Sequence, residues 1–200
     1  MQSKEKIRAE HRMHRKALTQ EQLVAAGQAL AKHGLEWASE LAQAPGSAFA
    51  AYLGTGTEPP TLPLITALYD AGYRVLLPVC EPDRQLSWVY WVPSTPLVRS
   101  PHAPVDEPHG QRLADLPTGV AGIFLPATAV SRDGSRIGQG GGYYDRLLAR
   151  LDSEGRRPPV VAVVYNSEVL ESGTIPTEPF DQPVGKALTP SGIVLLHWQM

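Results

Sequence analysis

One cysteine in 200 residues, Cys80, excludes an internal disulfide and any multi-cysteine metal knuckle. Long apolar runs are missing too: nothing approaches the ~20 residues needed to span a bilayer. Residues 1–16 are polar and charged where a secretory leader would carry an apolar core, so the expected location is the cytoplasm. There is no Gly-x-Ser-x-Gly elbow and no His-Glu-x-x-His, and the six histidines (11, 14, 33, 102, 109 and 197) show no zinc spacing. Cys80 follows an apolar run and reads as a small buried hydrophobe rather than a nucleophile. Hydrophobic content of 42% against 19% charged residues excludes an intrinsically disordered chain. The expectation is one domain over 1–200, with residues 1–44 as a helical portion packed on it, a monomer working without a membrane.

The net charge of −2 hides an asymmetry. Residues 1–16 carry a local +4, which leaves −6 on the rest. A nucleic-acid binder usually has a basic domain, so this balance points away from one and towards a small anionic ligand beside a basic helix. Residues 3–17 read as that helix, with Ser3 as N-cap, and Thr19 with Gln22 forms a capping-box pattern that opens a second, ending before Pro45-Gly46. The period then changes. Ser47–Leu53, Arg74–Val79, Leu86–Trp91, Gly122–Leu125, Val160–Val164, Lys186–Leu188 and Ile193–Leu196 read as strands, with helices at Pro60–Ala71 and Tyr143–Leu151. Six prolines between 93 and 119 predict a long wandering connection. Bare apolar strands alternating with helices predict an α/β fold with a mostly parallel central sheet and two leading helices. Trp88, Tyr90 and Trp91 read as core aromatics of a strand near an edge.

The most informative segment is Gly134-Ser135-Arg136-Ile137-Gly138-Gln139-Gly140-Gly141-Gly142-Tyr143-Tyr144-Asp145, in which glycine fills five of the nine positions from 134 to 142. Read between a strand and a helix, it belongs at the carboxyl end of a parallel strand, where open α/β sheets hold ligands. Glycines admit close approach of a ligand to backbone N–H groups, and the helix start that follows favours phosphate. Neither Gly-x4-Gly-Lys-Ser/Thr nor Gly-x-Gly-x-x-Gly fits. Arg136 supplies a planar cation. Lys4, Arg8 and Arg15 share one face of the first helix, at 40° and 20° from the first, and either clamp a polyphosphate or form a solvated face. Asp145 and Asp181 are candidates for Mg²⁺, which prefers one or two carboxylates plus phosphate oxygens. Glu58 leaves a strand at the same expected sheet edge and either accepts from a ligand ring amine or caps the next helix.

Arg136-Ile137-Gly138-Gln139-Gly140-Gly141-Gly142-Tyr143-Tyr144-Asp145-Arg146 closely resembles the signature of the 5-formyltetrahydrofolate cyclo-ligases, also called 5,10-methenyltetrahydrofolate synthetases. Lys4-x-x-Ile7-Arg8, Arg15-x-x-Leu18-Thr19, the Leu53 to Glu58 stretch and Ile175-Pro176-Thr177-Glu178-Pro179-Phe180-Asp181 resemble further family segments in the right order. The resemblance implies a three-layer α/β sandwich and an ATP- and Mg²⁺-dependent ring closure of 5-formyltetrahydrofolate. It assigns ATP to Lys4, Arg8 and the run Arg136, Ile137, Gly138, Gln139, Gly140, Gly141, Gly142, Tyr143 and Tyr144. It assigns the folate to Leu53, Glu58 and Gln139 through Tyr143, catalysis to Arg136 and Tyr143, and the metal to Asp145 and Asp181. Three places depart from the pattern: Val130-Ser131 stands for Phe-Asp, Phe180 for a histidine, and Gly185 for a second acid. A relative with the same nucleotide site and another acceptor, or a non-catalytic folate or nucleotide binder, are the alternatives that these departures leave.

Overall fold

The computed structural model describes residues 2–42, 44 and 46–197. Helix α1 (Lys4–Lys16) is capped by the Ser3 side chain, and α2 (Gln20–Leu41) opens on the Thr19–Gln22 capping box that the sequence predicts. Pro45, expected to end that helix, lies outside the described residues, and α2 has already stopped at Leu41. Then follow β1 (Ala48–Ala50), α3 (Leu62–Asp70), β2 (Arg74–Cys80), β3 (Leu86–Trp91), β4 (Leu97–Arg99), β5 (Asp106–Pro108) and β6 (Gly122–Pro126). The chain goes on through β7 (Ala129–Ser131), β8 (Arg136–Ile137), α4 (Tyr143–Ser153), β9 (Val160–Val163), β10 (Val169–Leu170), β11 (Lys186–Thr189) and β12 (Gly192–Leu195).

Seven strands form the main sheet in the order β12-β11-β9-β6-β1-β2-β3. The five inner strands are mutually parallel, and an antiparallel strand closes each edge. Alternation sorts side chains to two faces. Ala48, Ala50, Ile123, Leu125 and Ala162 pack with Leu147 and Leu151 of α4, while Phe49, Phe124, Val161 and Val163 pack with Leu30 and Trp37 of α2 and Leu64 and Leu68 of α3. This is the expected three-layer α/β sandwich with a mostly parallel sheet. Trp37 meets Phe124 edge to face at 4.9 Å between ring centroids, which contributes ~0.5–1.5 kcal/mol beyond area burial. The expected core aromatics Trp88 and Trp91 are buried on edge strand β3, and Tyr90 lies beneath the Arg74 guanidinium at 4.0 Å. No helix among the described residues is long and apolar enough to cross a membrane.

Two expectations need correction. The proline-rich connection is not structureless: β4 and β5 pair as a hairpin, because its prolines fall before, between and at the end of the strands and remove no interior ladder bond. The glycine loop does not follow a parallel strand directly. An antiparallel pair, β7 with β8, turns at Asp133-Gly134 and stands between β6 and the loop. Asp-Gly between short apolar runs is a hairpin signal, and Gly134 adopts φ +87° there. β10 joins β7 to complete a small three-stranded sheet on which α1 packs through Ile7.

Candidate active site

From β1 the chain proceeds to β2 and one edge of the sheet, and from β6 to β9, β11 and the other edge. The carboxyl ends of these two neighbours are therefore the point where strand order reverses, and open α/β sheets take up ligands in the crevice there. Residues 51–61 leave β1 at this point and residues 127–142 leave β6, so the Glu58 loop and the glycine loop share a sheet edge as expected.

The Glu58 loop is built from its own backbone. Glu58 Oε2 accepts from the Thr55 N–H at 3.0 Å and the Thr55 hydroxyl at 3.3 Å. Thr61 donates to the Tyr52 carbonyl at 2.5 Å and accepts from the Gly54 N–H at 2.8 Å. A Cβ on Gly54 would stand 2.3 Å from the Pro59 carbonyl oxygen, so the turn admits glycine alone. Helix α3 begins at Leu62 with Thr61 as N-cap and no side-chain cap bond, which removes the reading of Glu58 as a helix cap. Leu53 is half-buried against the α2–α3 core.

The glycine loop runs from β8 to α4. Gly140 and Gly142 have φ of +99° and +73°, and Gly142 caps α4 without a side chain, so no side chain covers the first N–H groups of the helix. Arg136 lies beneath the loop with 3% of its side chain exposed. Its Nη2 meets Asp145 Oδ1 at 2.5 Å, Nη1 donates to the Pro126 carbonyl at 3.4 Å, and Nε is buried without a partner. Asp145 Oδ1 also accepts from the Gln182 N–H at 3.1 Å, which draws the segment carrying Asp181 to the loop. Ile137 is buried in the cluster with Ile7 and Ile175, so only its backbone is available to a ligand. Gln139 and Gly141 are exposed.

Helix α1 lies along the other side. Arg8 Nε donates to the Gly138 carbonyl at 2.8 Å, and its Nη1 pairs with Glu5. Lys4 Nζ meets Asp181 Oδ2 at 2.5 Å and Glu178 Oε2 at 2.7 Å, with the Phe180 ring 5.8 Å away. Burial works against the charge on Lys4, but the hydrogen bonds to Asp181 and Glu178 outweigh it and hold the pKa above the ordinary lysine value. Arg15 is elsewhere, which corrects the three-residue clamp. Its Nε and Nη2 meet Glu168 Oε1 and Oε2 at 2.5 and 2.9 Å, and Nη2 donates to the Ala127 carbonyl at 2.9 Å, all buried. The solvated-face alternative fails as well, since Lys4, Arg8 and Arg15 keep only 17%, 13% and 2% of their side chains exposed.

The Tyr143 hydroxyl donates to the His102 carbonyl at 3.3 Å and so ties α4 to the β4–β5 turn; burial, then the neighbouring Cys80, raises its pKa. Burial likewise raises the Cys80 thiol, against the nucleophile reading. The hydroxyls of Tyr52 and Tyr144 are sealed from solvent without partners. Burial pushes both phenols well above their ordinary value; the charge of Glu58 adds to it at Tyr52, as do Cys80 and Glu58 at Tyr144. Sequence reasoning missed Tyr52, Gln182 and the β2–β3 turn at Asp83-Arg84. None sits in a motif, and only the strand order brings them to this end of the sheet.

The departures from the family pattern occupy defined places. Ser131 donates its hydroxyl to Asp133 within the β7–β8 turn, Phe180 lies beside the Lys4 ammonium, and a Cβ on Gly185 would meet nothing within 4 Å.

Residues 1–190 match the model described as the 5-formyltetrahydrofolate cyclo-ligase family. The chain is 38% identical over 178 residues to the 5-formyltetrahydrofolate cyclo-ligase of Mycolicibacterium smegmatis, covering 86% of this chain and 87% of that one. To the enzyme of that name from Escherichia coli K12 it is 30% identical over 185 residues, covering 91% and 97%. In fold it is similar to the Aquifex aeolicus 5,10-methenyltetrahydrofolate synthetase, with a TM-score of 0.70 at 24% identity over 98% of this chain and 94% of that one. The Mycoplasma pneumoniae synthetase gives 0.67 at 18% identity over 92% and 96%.

Proposed function

This chain belongs to the 5-formyltetrahydrofolate cyclo-ligase family and is an enzyme of it, and on that premise we propose that it uses ATP and Mg²⁺ to convert 5-formyltetrahydrofolate to 5,10-methenyltetrahydrofolate, ADP and phosphate. The observation that carries this reading is the convergence of distant charged groups on one glycine run. Arg8 reaches Gly138, Arg136 pairs with Asp145 under the loop, and the Gln182 N–H brings Asp181, already held by Lys4, to the same place.

An amide oxygen is a poor leaving group until it is phosphorylated. In the proposed reaction the formyl oxygen attacks the terminal phosphorus of ATP and ADP departs. N10 then attacks the formyl carbon and loses its proton, and the C–O bond breaks with the oxygen leaving as phosphate. Such a transfer asks for positioning and neutralisation of charge, with no protein nucleophile. The backbone of residues 138–142, the open start of α4, Lys4, Arg8 and Arg136 would hold the triphosphate. Leu53, Glu58 and residues Gln139 through Tyr143 would hold the folate, with Tyr143 and Arg136 nearest the transfer.

Asp145 and Asp181 suit a hard cation. Each commits one oxygen, Oδ1 and Oδ2 respectively, and the other has no hydrogen-bond partner among the described residues. Two carboxylate oxygens with phosphate oxygens and water match the preference of Mg²⁺, which would supply charge neutralisation to the phosphates. The test is turnover of 5-formyltetrahydrofolate by purified protein with MgATP, followed by the near-ultraviolet absorbance of the methenyl product. ATP binding without that product, or turnover of another acceptor only, would overturn the reading.

A further inference from the structure

The turn between β2 and β3 holds the two non-glycine residues of positive φ among those described, Asp83 at +56° and Arg84 at +59°. Side chains adopt this left-handed conformation at a cost, and it persists only where surrounding contacts impose it. Three bonds do so here. Glu81 donates its N–H to the Gln85 carbonyl at 2.9 Å, and Gln85 donates to the Pro82 carbonyl at 3.2 Å. Arg146, on the first turn of α4, donates Nη1 to the Asp83 carbonyl at 2.8 Å. The turn is thereby bonded to the helix that the glycine loop opens.

The result is a guanidinium over the loop. A Cβ on Gly142 would stand 3.6 Å from Arg84 Nη1, and one on Gly140 would stand 3.8 Å from Arg8 Nη2. Arg84 from the β2–β3 turn and Arg8 from α1 therefore both approach the three-glycine run, at Gly142 and at Gly140. Their commitments differ. Lys4 is bonded to Asp181 and Glu178, Arg8 to Glu5 and the Gly138 carbonyl, and Arg136 to Asp145. Arg84 has no acceptor among the described residues and is exposed. Beneath the same loop the buried Arg136 Nε also has no partner.

We propose that Arg84 is a phosphate-binding residue of this enzyme, contacting the polyphosphate of the nucleotide where it lies on the start of α4, and that Arg146 positions it through Asp83. The proposal rests on the reading of the glycine loop as the ATP site. A phosphate on the open N–H groups at Gly142 would meet a planar cation with no competing carboxylate, a geometry suited to a two-point contact. The turn fixes the backbone of that cation in advance, which reduces the ordering that binding must impose.

The experiment uses R84Q, R84K and R146Q in the full chain, with Michaelis constants for ATP and 5-formyltetrahydrofolate measured separately and tripolyphosphate binding followed by calorimetry. Losing a charged hydrogen bond should raise the ATP constant about tenfold or more in R84Q, with the folate constant within about twofold and the melting temperature unchanged. R84K should recover part of the loss, R146Q should show a smaller rise in the same constant, and tripolyphosphate should bind R84Q more weakly than the parent. An ATP constant within about twofold of the parent makes Arg84 a solvated surface residue and overturns the proposal. An effect confined to the folate constant overturns it too and assigns Arg84 to a carboxylate of the folate tail. Failure of the underlying reading looks different: the parent would not bind ATP, or Arg136→Ala would leave the ATP constant unchanged.

Discussion

Arg136 and Asp145 stand at opposite ends of the glycine loop and are joined beneath it, Nη2 to Oδ1 at 2.5 Å. The loop is a closed bridge whose two footings hold each other. Asp145→Asn therefore does more than remove one proposed metal ligand, because it leaves a guanidinium with 3% of its side chain exposed and no counter-charge. Breaking a buried pair costs ~3–5 kcal/mol, and the lower end applies here because Asp145 is partly exposed. The variant should lose most turnover, lower the melting temperature and regain part of its rate with added Mg²⁺. Parental activity at limiting Mg²⁺ would remove Asp145 from the metal site.

Glu58 Oε2 is held by Thr55, and Oε1 has no hydrogen-bond partner among the described residues, which leaves it free for the proposed folate contact. In Glu58→Gln the amide oxygen can keep the Thr55 bonds only by turning its NH2 group towards the ring donors of a reduced pterin. Folate binding should then weaken by about 1–3 kcal/mol while ATP binding stays as it was. Calorimetry with each ligand alone decides it, and equal folate affinity takes Glu58 out of the site.

The Arg15–Glu168 pair anchors α1, whose apolar hold on the body is Ile7. Arg15→Met should destabilise the protein by ~3–5 kcal/mol by leaving Glu168 uncompensated. It should also raise the ATP constant, because Lys4 and Arg8 ride on the same helix. Adding Glu168→Leu should return much of the stability in urea titrations. Equal instability in the single and double variants would mean that the charge pair is not what anchors the helix.

Asp133 gives a pH signature. Burial alone would raise its pKa, but acceptance from the Ser131 hydroxyl, the Ser135 N–H and the Gly173 N–H lowers it to about 2 from an ordinary 3.8. A depressed carboxyl contributes stability above its unfolded value and loses it as pH falls through the folded one. The melting-temperature gap between the parent and Asp133→Asn should be full at pH 5–6, shrink as pH falls below about 4 and vanish only below about pH 2. A gap constant over that range would mean that the Asp133 charge does not support the turn.

The α/β class was legible because inner parallel strands, covered on both faces, read as bare apolar runs such as Val160–Val163. Strand order was not, because no local period records which distant strands pair, and with it went the reversal between β1 and β6. Helix phase placed Lys4, Arg8 and Arg15 correctly on one face but says nothing of distance along the axis. Eleven residues at ~1.5 Å each carry Arg15 about 16 Å from Lys4, past the loop and onto Glu168. The acids opposite Lys4 were beyond local reading, since Glu178 and Asp181 lie more than 170 residues away in sequence. Asp133-Gly134 is a local hairpin signal, but Gly134 reads equally as the first glycine of the loop that follows.

The bond between Lys4 and Asp181 joins residues 177 positions apart, so it orders events on the ribosome. At ~5–20 residues per second, Lys4 is made roughly ten to thirty seconds before its partner exists. For most of that interval the nascent chain lacks both Glu168 and Asp181, and Glu168, the partner of Arg15, is made first. The end of the crevice where α1 meets the glycine loop is thus completed only after residue 181 has been made, and a nascent chain stalled before residue 168 should lack both anchors of that helix.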